Sequence, residues 1–108
     1  MHAFDVLGDP VRRRILELLA EKEMSSGEIV AIVSAEFEIS QPAVSQHLKV
    51  LRSNGFAHVS IEGAKRIYAL DTSGLKEVDR WMSPFRQFWT PKFEALATEV
   101  ARGKRRKP

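Results

Sequence analysis

Between Asp9 and Arg102 the apolar residues fall into four segments of helical spacing and one of strict alternation. Asp9-Pro10 reads as an N-cap followed by the first helical position. Val11, Ile15, Leu18 and Leu19 then recur at i, i+4, i+7 and i+8, one helical face. Ser25 or Ser26 caps the next helix, with Glu28 in its first turn and Ile29, Ile32, Val33 and Phe37 as its stripe. Ahead of both, Ala3 to Leu7 forms a short helix that Gly8 ends. The third segment is the run SQPAVSQHLKVL from Ser40 to Leu51. Ser40 is its N-cap, and Pro42 is tolerated because it lies in the first turn. At about 100° per residue, Val44, Leu48 and Leu51 share one side, and Pro42, Ser45, Gln46 and Lys49 share the other. Gln41 sits at the N-terminal tip, and Asn54-Gly55 ends the helix with residues that accept a left-handed conformation.

Alternation follows. Ala57, Val59 and Ile61 alternate with His58, Ser60 and Glu62, and after Gly63-Ala64 comes KRIYAL. A two-residue turn with glycine first suits a type II′ hairpin. Its register pairs Glu62 with Lys65, Ile61 with Arg66 and Val59 with Tyr68, which puts Ala57, Val59, Ile61, Tyr68 and Leu70 on one face. Thr72 or Ser73 then caps a long helical segment carrying Leu75, Val78, Met82, Phe85, Phe88 and Trp89. Pro84 and Pro91 interrupt it, with Thr90-Pro91 as a fresh start, and Phe93, Leu96 and Val100 extend the row to Arg102. The fold expected is mainly α with a small β-hairpin, occupying residues 1–102, followed by a basic tail, 103–108.

Composition narrows the class. The 108 residues suit one small domain. No apolar run approaches the roughly 20 residues of a membrane span, and the N-terminus lacks a signal-peptide pattern, so a cytoplasmic location is expected. The absence of cysteine removes disulfides, thiolate metal sites and thiol redox sensing. Lys and Arg number 17 against 14 Asp and Glu, but four of the basic residues lie in the tail GKRRKP, which leaves 13. The folded part is nearly neutral, so any nucleic-acid contact depends on locally placed charge. The tail itself reads equally as a non-specific DNA contact or a solubilising end.

Two short helices joined by a tight turn, the second with a polar outer face, match a helix-turn-helix, and the hairpin adds a wing. The segments LGDPVRRRILELL, SQPAVSQHLKVLRSNGF, EGAKRIYAL and FRQFW resemble the ArsR/SmtB family of bacterial transcriptional repressors, in order from Leu7 to Ala101. The resemblance implies a homodimer held by the first and last helices, on an inverted-repeat operator. Residues toward the start of the third helix suit the major groove, where bases are reached. Gln41, Ser45 and Gln46 supply amide and hydroxyl groups, Lys49 a charge, and Pro42 and Ala43 a close approach to a thymine methyl. His47 lies at the edge of the apolar face, where DNA contact and packing are both open. Lys65 and Arg66 sit at the wing, and Arg52 and Arg12 are phosphate candidates. Leu75, Val78, Trp81, Met82, Phe85, Phe88, Trp89 and Phe93 exceed what one small core covers, with Phe4 and Leu7 at the other end. Phe4, Leu7, Val78, Trp81, Met82, Phe85, Phe88 and Trp89 are therefore the candidate dimer interface.

Many family members release DNA when a metal binds cysteines ahead of the reading helix, or histidines and carboxylates on the last helix. Here SSGEIVAIVS carries no thiol and no histidine follows His58, so the resemblance is to the metal-independent members, with no cofactor and no named inducer. The family also has about four fewer residues between the positions of Glu28 and Ser40, which one extra helical turn accommodates. Glu38 stands where a glycine often makes the turn. Among rival readings, an enzyme lacks any acid–base pair, nucleophile elbow or phosphate loop. RNA binding lacks an exposed aromatic platform. A winged helix that binds protein instead of DNA stays open; it has no need of an acid-free polar face.

Overall fold

Side-chain caps set where the helices begin. Helix α1 (Ala3–Leu7) starts where His2 Nδ1 accepts from the Phe4 N–H at 3.2 Å and the Asp5 carboxylate accepts from the His2 N–H at 3.0 Å. Helix α2 (Pro10–Glu21) starts at Asp9, whose carboxylate accepts from the N–H groups of Val11 (2.8 Å) and Arg12 (3.3 Å). The structure, a computed structural model, describes residues 1–89, which divide into one unit of residues 1–78 and a second that starts at Asp79.

Of the two candidate serines, Ser25 is the cap of α3 (Ser26–Phe37). Its Oγ accepts from the Glu28 N–H at 3.1 Å, and Glu28 Oε1 accepts from the Ser25 N–H at 2.9 Å. These bonds from Ser25, the backbone one first, hold the Glu28 carboxyl below its ordinary 4.5, against the opposing effect of desolvation. A carboxyl whose folded value is depressed contributes its stability above the unfolded value and loses it as pH falls through the folded one. Glu28→Gln keeps an acceptor for Ser25 but cannot titrate. Its stability deficit relative to the wild type is expected to shrink as pH drops from 7 to about 3.5, measured by urea denaturation at each pH.

Helix α3 runs unbroken for 12 residues. At its end Glu38 has φ 54° and ψ 47° and is the one non-glycine residue with positive φ among the described residues. Left-handed backbone costs an L-residue about 1–2 kcal/mol. Glycine removes that cost but loses roughly 0.5–1 kcal/mol through its greater freedom when unfolded. Glu38→Gly is therefore expected to stabilise the protein by about 0.5–1 kcal/mol in chemical denaturation.

Helix α4 (Gln41–Ser53) begins where Ser40 Oγ accepts from the Ala43 N–H at 3.2 Å, and Pro42 sits in its first turn. At its end Asn54 Nδ2 donates to the Val50 carbonyl at 2.7 Å. Of Asn54 and Gly55 only the glycine is left-handed, at φ 79°. Strands β2 (Ala57–Glu62) and β3 (Lys65–Leu70) pair in the expected register, Glu62 with Lys65 and Val59 with Tyr68. Gly63 alone in the turn has positive φ, the pattern of a II′ hairpin.

The sheet differs from the sequence expectation at two points. A third strand, β1 (Met24–Ser25), pairs with β3 through Met24–Tyr68 and Ser25–Ile67, so the sheet order is β1-β3-β2. Ile61 shares its face with buried Ala57 and half-buried Val59, yet it is 65% exposed. The hairpin extends past the body at that point, and packing stops before the alternation does.

The core joins Val6 of α1, Ile15 of α2, Ile29 and Val33 of α3, Val44 and Leu51 of α4, and Phe56, all fully buried. Helix α5 (Ser73–Met82) follows Thr72, whose carbonyl accepts from the Lys76 N–H at 2.8 Å, and Asp71 adds side-chain bonds at its start. Asp71 Oδ1 accepts from the Ser73 N–H at 2.9 Å and from Ser73 Oγ at 2.8 Å. Leu75 and Val78 pack against the core from this helix.

In the second unit the α-helix ends at Met82 and a 3₁₀ segment, Ser83–Phe88, carries Pro84 in its first turn. Proline disfavours the α conformation of the residue before it, which breaks the long segment there. Arg86 pairs with Asp79, and the rings of Trp81 and Phe85 lie 4.7 Å apart. The break expected at Thr90-Pro91 and the row Phe93, Leu96 and Val100 lie outside the described residues, as does the tail.

Candidate nucleic-acid interface

Helix α4 is buried along Val44, Leu48 and Leu51, which pack it against α2, α3 and β2. That anchoring leaves Gln41, Pro42, Ser45, Gln46, Lys49 and Arg52 exposed, with Ala43 and His47 half-buried at the margins. No acidic residue occurs anywhere in the helix. The three residues 38–40 connect it to α3. The exposed groups are amides, a hydroxyl and cations, the side chains that read base edges or meet phosphate.

The arginines that open α2 divide by partner. Arg12 donates from Nε to the Val6 carbonyl (2.8 Å) and from Nη2 to the Asp5 carbonyl (3.0 Å), and its Nη1 meets His47 Nδ1 at 3.2 Å. Arg13 Nη1 donates to the Leu7 carbonyl at 2.6 Å. Arg14 makes a two-point contact with Glu36 of α3 (2.9 and 3.1 Å), which holds that carboxyl below its usual range. Arg12, read from the sequence as a phosphate candidate, thus has three guanidinium contacts inside the protein. The orphan carbonyls at the end of α1 draw it in.

At the wing, Lys65 and Arg66 are exposed on β3. With Ala64 they line an open depression of about 360 Å³ whose other wall is Ser25, Ser26 and Gly27 at the start of α3. Strand β1 makes this juxtaposition, since it ties Ser25 to Ile67. Two residues of strand are too few for any periodicity, and the wing's contact with the α3 N-terminus therefore left no mark in the hydrophobic pattern.

The candidate dimer residues divide as well. In the first unit Phe4 is exposed, and Leu7 and Val78 are partly buried against the protein's own core. In the second, Trp81, Phe85, Phe88 and Trp89 are exposed, Phe88 by 73%, and Met82 is half-buried. Among the described residues no three His, Asp or Glu side chains converge as a metal site requires, and no helix is long and apolar enough to cross a membrane.

A helix pair with a three-residue turn, a polar and acid-free second helix, and a three-stranded antiparallel wing define a winged helix-turn-helix DNA-binding protein. Residues 9–59 match the family described as bacterial regulatory protein, arsR family. The HTH-type transcriptional regulator Rv2034 of Mycobacterium tuberculosis is 36% identical over 88 residues, 82% of this chain and 76% of that one. The transcriptional repressor SdpR of Bacillus subtilis is 33% identical over 84 residues, 78% of this chain and 89% of that one. The crystal structure of a possible transcriptional regulator for arsenical resistance superposes with a TM-score of 0.63 at 31% identity, covering 92% and 96% of the two chains. This chain belongs to the ArsR family: it is a DNA-binding transcriptional regulator whose sequence contains no cysteine.

Proposed function

We propose that this regulator is a repressor that binds an inverted-repeat operator as a homodimer, with α4 in the major groove of each half-site. The observation that carries the reading is the acid-free outer face of α4, exposed at Gln41, Ser45, Gln46, Lys49 and Arg52 over a fully packed inner stripe. Gln41 and Gln46 match the paired donor and acceptor of an adenine edge, and Lys49 suits guanine or phosphate. Lys65 and Arg66 of the wing, and Arg52, are assigned to the flanking backbone. Repression follows from occlusion of a promoter by a small bound dimer, and the relative SdpR carries that role in its name.

Operator selection from a random duplex pool tests this. An inverted repeat with half-site centres about one helical turn apart is expected. Gln46→Ala and Lys49→Ala are each expected to lower affinity for that sequence by about tenfold, from roughly 1–3 kcal/mol per lost base contact. Fluorescence titration measures both. Selection that enriches no sequence would favour the protein-binding winged helix instead.

A further inference from the structure

Arg12 and His47 stand 35 positions apart in the chain and meet at 3.2 Å, Nη1 to Nδ1. A guanidinium carries donors only, so the imidazole accepts in this pair. Nδ1 therefore holds the lone pair, and the neutral ring carries its proton on Nε2. The same guanidinium is held in plane by two further bonds, Nε to the Val6 carbonyl at 2.8 Å and Nη2 to the Asp5 carbonyl at 3.0 Å. Both acceptors belong to the last turn of α1, whose carbonyls have no partner within the helix. Arginine's fork is rigid, so three bonds fix where Nη1 points and hence how the ring is turned. Among the described residues His47 Nε2 has no partner, and the ring is half-exposed beside Gln46.

We propose that Arg12 is a positioning residue that fixes His47 as an Nε2–H donor, and that α4 delivers this donor to an acceptor on operator DNA. This rests on the reading of α4 as the recognition helix. Acceptors of that kind are a phosphate oxygen, a purine N7, guanine O6 or thymine O4; the amino groups of adenine and cytosine are refused. The end of α1 and the ring of His47 share one guanidinium, so a displacement of α1 also turns the ring.

Long-range proton–nitrogen spectra of the labelled protein at about pH 8.5 test the first half without DNA. His47 is expected to show two fully separated nitrogens with Nε2 protonated, and exposed His58 an average of two tautomers. Arg12→Met is expected to move His47 toward the His58 pattern. An averaged His47 in the wild type, or a pattern unmoved by Arg12→Met, would overturn the assignment; should that variant not fold, the wild-type spectrum decides alone. On the selected operator, His47→Phe is expected to lose about tenfold in affinity, and His47→Gln, whose amide places an N–H near Nε2, to recover most of it. Equal binding by all three overturns the DNA half. Duplexes with 7-deazapurines or single methylphosphonates identify the acceptor, because one modification weakens the wild type and leaves His47→Phe unchanged. If no duplex is bound selectively, the recognition-helix reading beneath the DNA half has failed, and the imidazole spectra still decide the positioning half.

Discussion

Phe56→Ala is expected to destabilise the fold by about 3–5 kcal/mol, the range for truncating a fully buried aromatic ring. Phe56 is the largest of the fully buried side chains among the described residues and has no exposed surface. Its own backbone is held from both sides: its N–H donates to the Leu51 carbonyl at 2.9 Å and its carbonyl accepts from the Asp71 N–H at 3.0 Å. The ring closes on Gly74, where an added Cβ would lie 2.5–2.7 Å from three ring carbons. Gly74 is helical, so alanine there would ordinarily gain up to about 1 kcal/mol from propensity. Overpacking costs about 1–3 kcal/mol and more where neither side can yield. Here the neighbour is a fully buried ring, and the Gly74 N–H is tied to the Gly55 carbonyl at 2.8 Å. The clash decides the sign, and Gly74→Ala is expected to destabilise by about 2 kcal/mol. In a Phe56→Leu background that penalty should fall by at least half, a coupling that a double-mutant cycle in urea reads directly. Additive costs would contradict the contact.

Phe85→Asp combined with Phe88→Asp is expected to leave a monomer and to lower operator affinity by about a hundredfold or more. Each residue is exposed in the second unit, beside Trp81 and Trp89 in the same short stretch. Single exposed apolar residues need no explanation, but four large aromatic ones within nine positions exceed what a monomer ordinarily presents. On an inverted repeat the second half-site is bound at a high effective concentration only if the first holds it through the dimer. Loss of the dimer therefore costs the avidity of one half-site. Sedimentation of the free protein and titration of the operator check the two parts. A dimer that survives both substitutions would place the interface elsewhere.

The parts of the fold legible in the sequence were those that a local rule decides. Ser40 and Asp9 cap helices through bonds spanning two or three residues, and the stripe Val44, Leu48, Leu51 is buried because one helix turn repeats it. The hairpin register followed from a two-residue turn. What stayed hidden depends on distant neighbours. Met24-Ser25 becomes a strand only because β3 offers an edge, and Phe56, the largest fully buried side chain among the described residues, belongs to no stripe. Ile61 keeps the alternation and loses the packing. At the candidate interface the polar face of α4 was readable residue by residue. The role of Arg12 was not, because its partners are backbone carbonyls of another helix and a ring 35 residues away.

Sequence-specific reading of DNA by α4 is what sets the proposed repressor apart from a protein-binding winged helix. The measurement that tests it most directly is a titration, at fixed salt, of the duplex upstream of the protein's own gene, or of a selected operator, against a scrambled duplex of equal length. At least about a thousandfold preference for the operator is expected. Equal, salt-sensitive binding to both would contradict it, since phosphate contacts alone carry no sequence information.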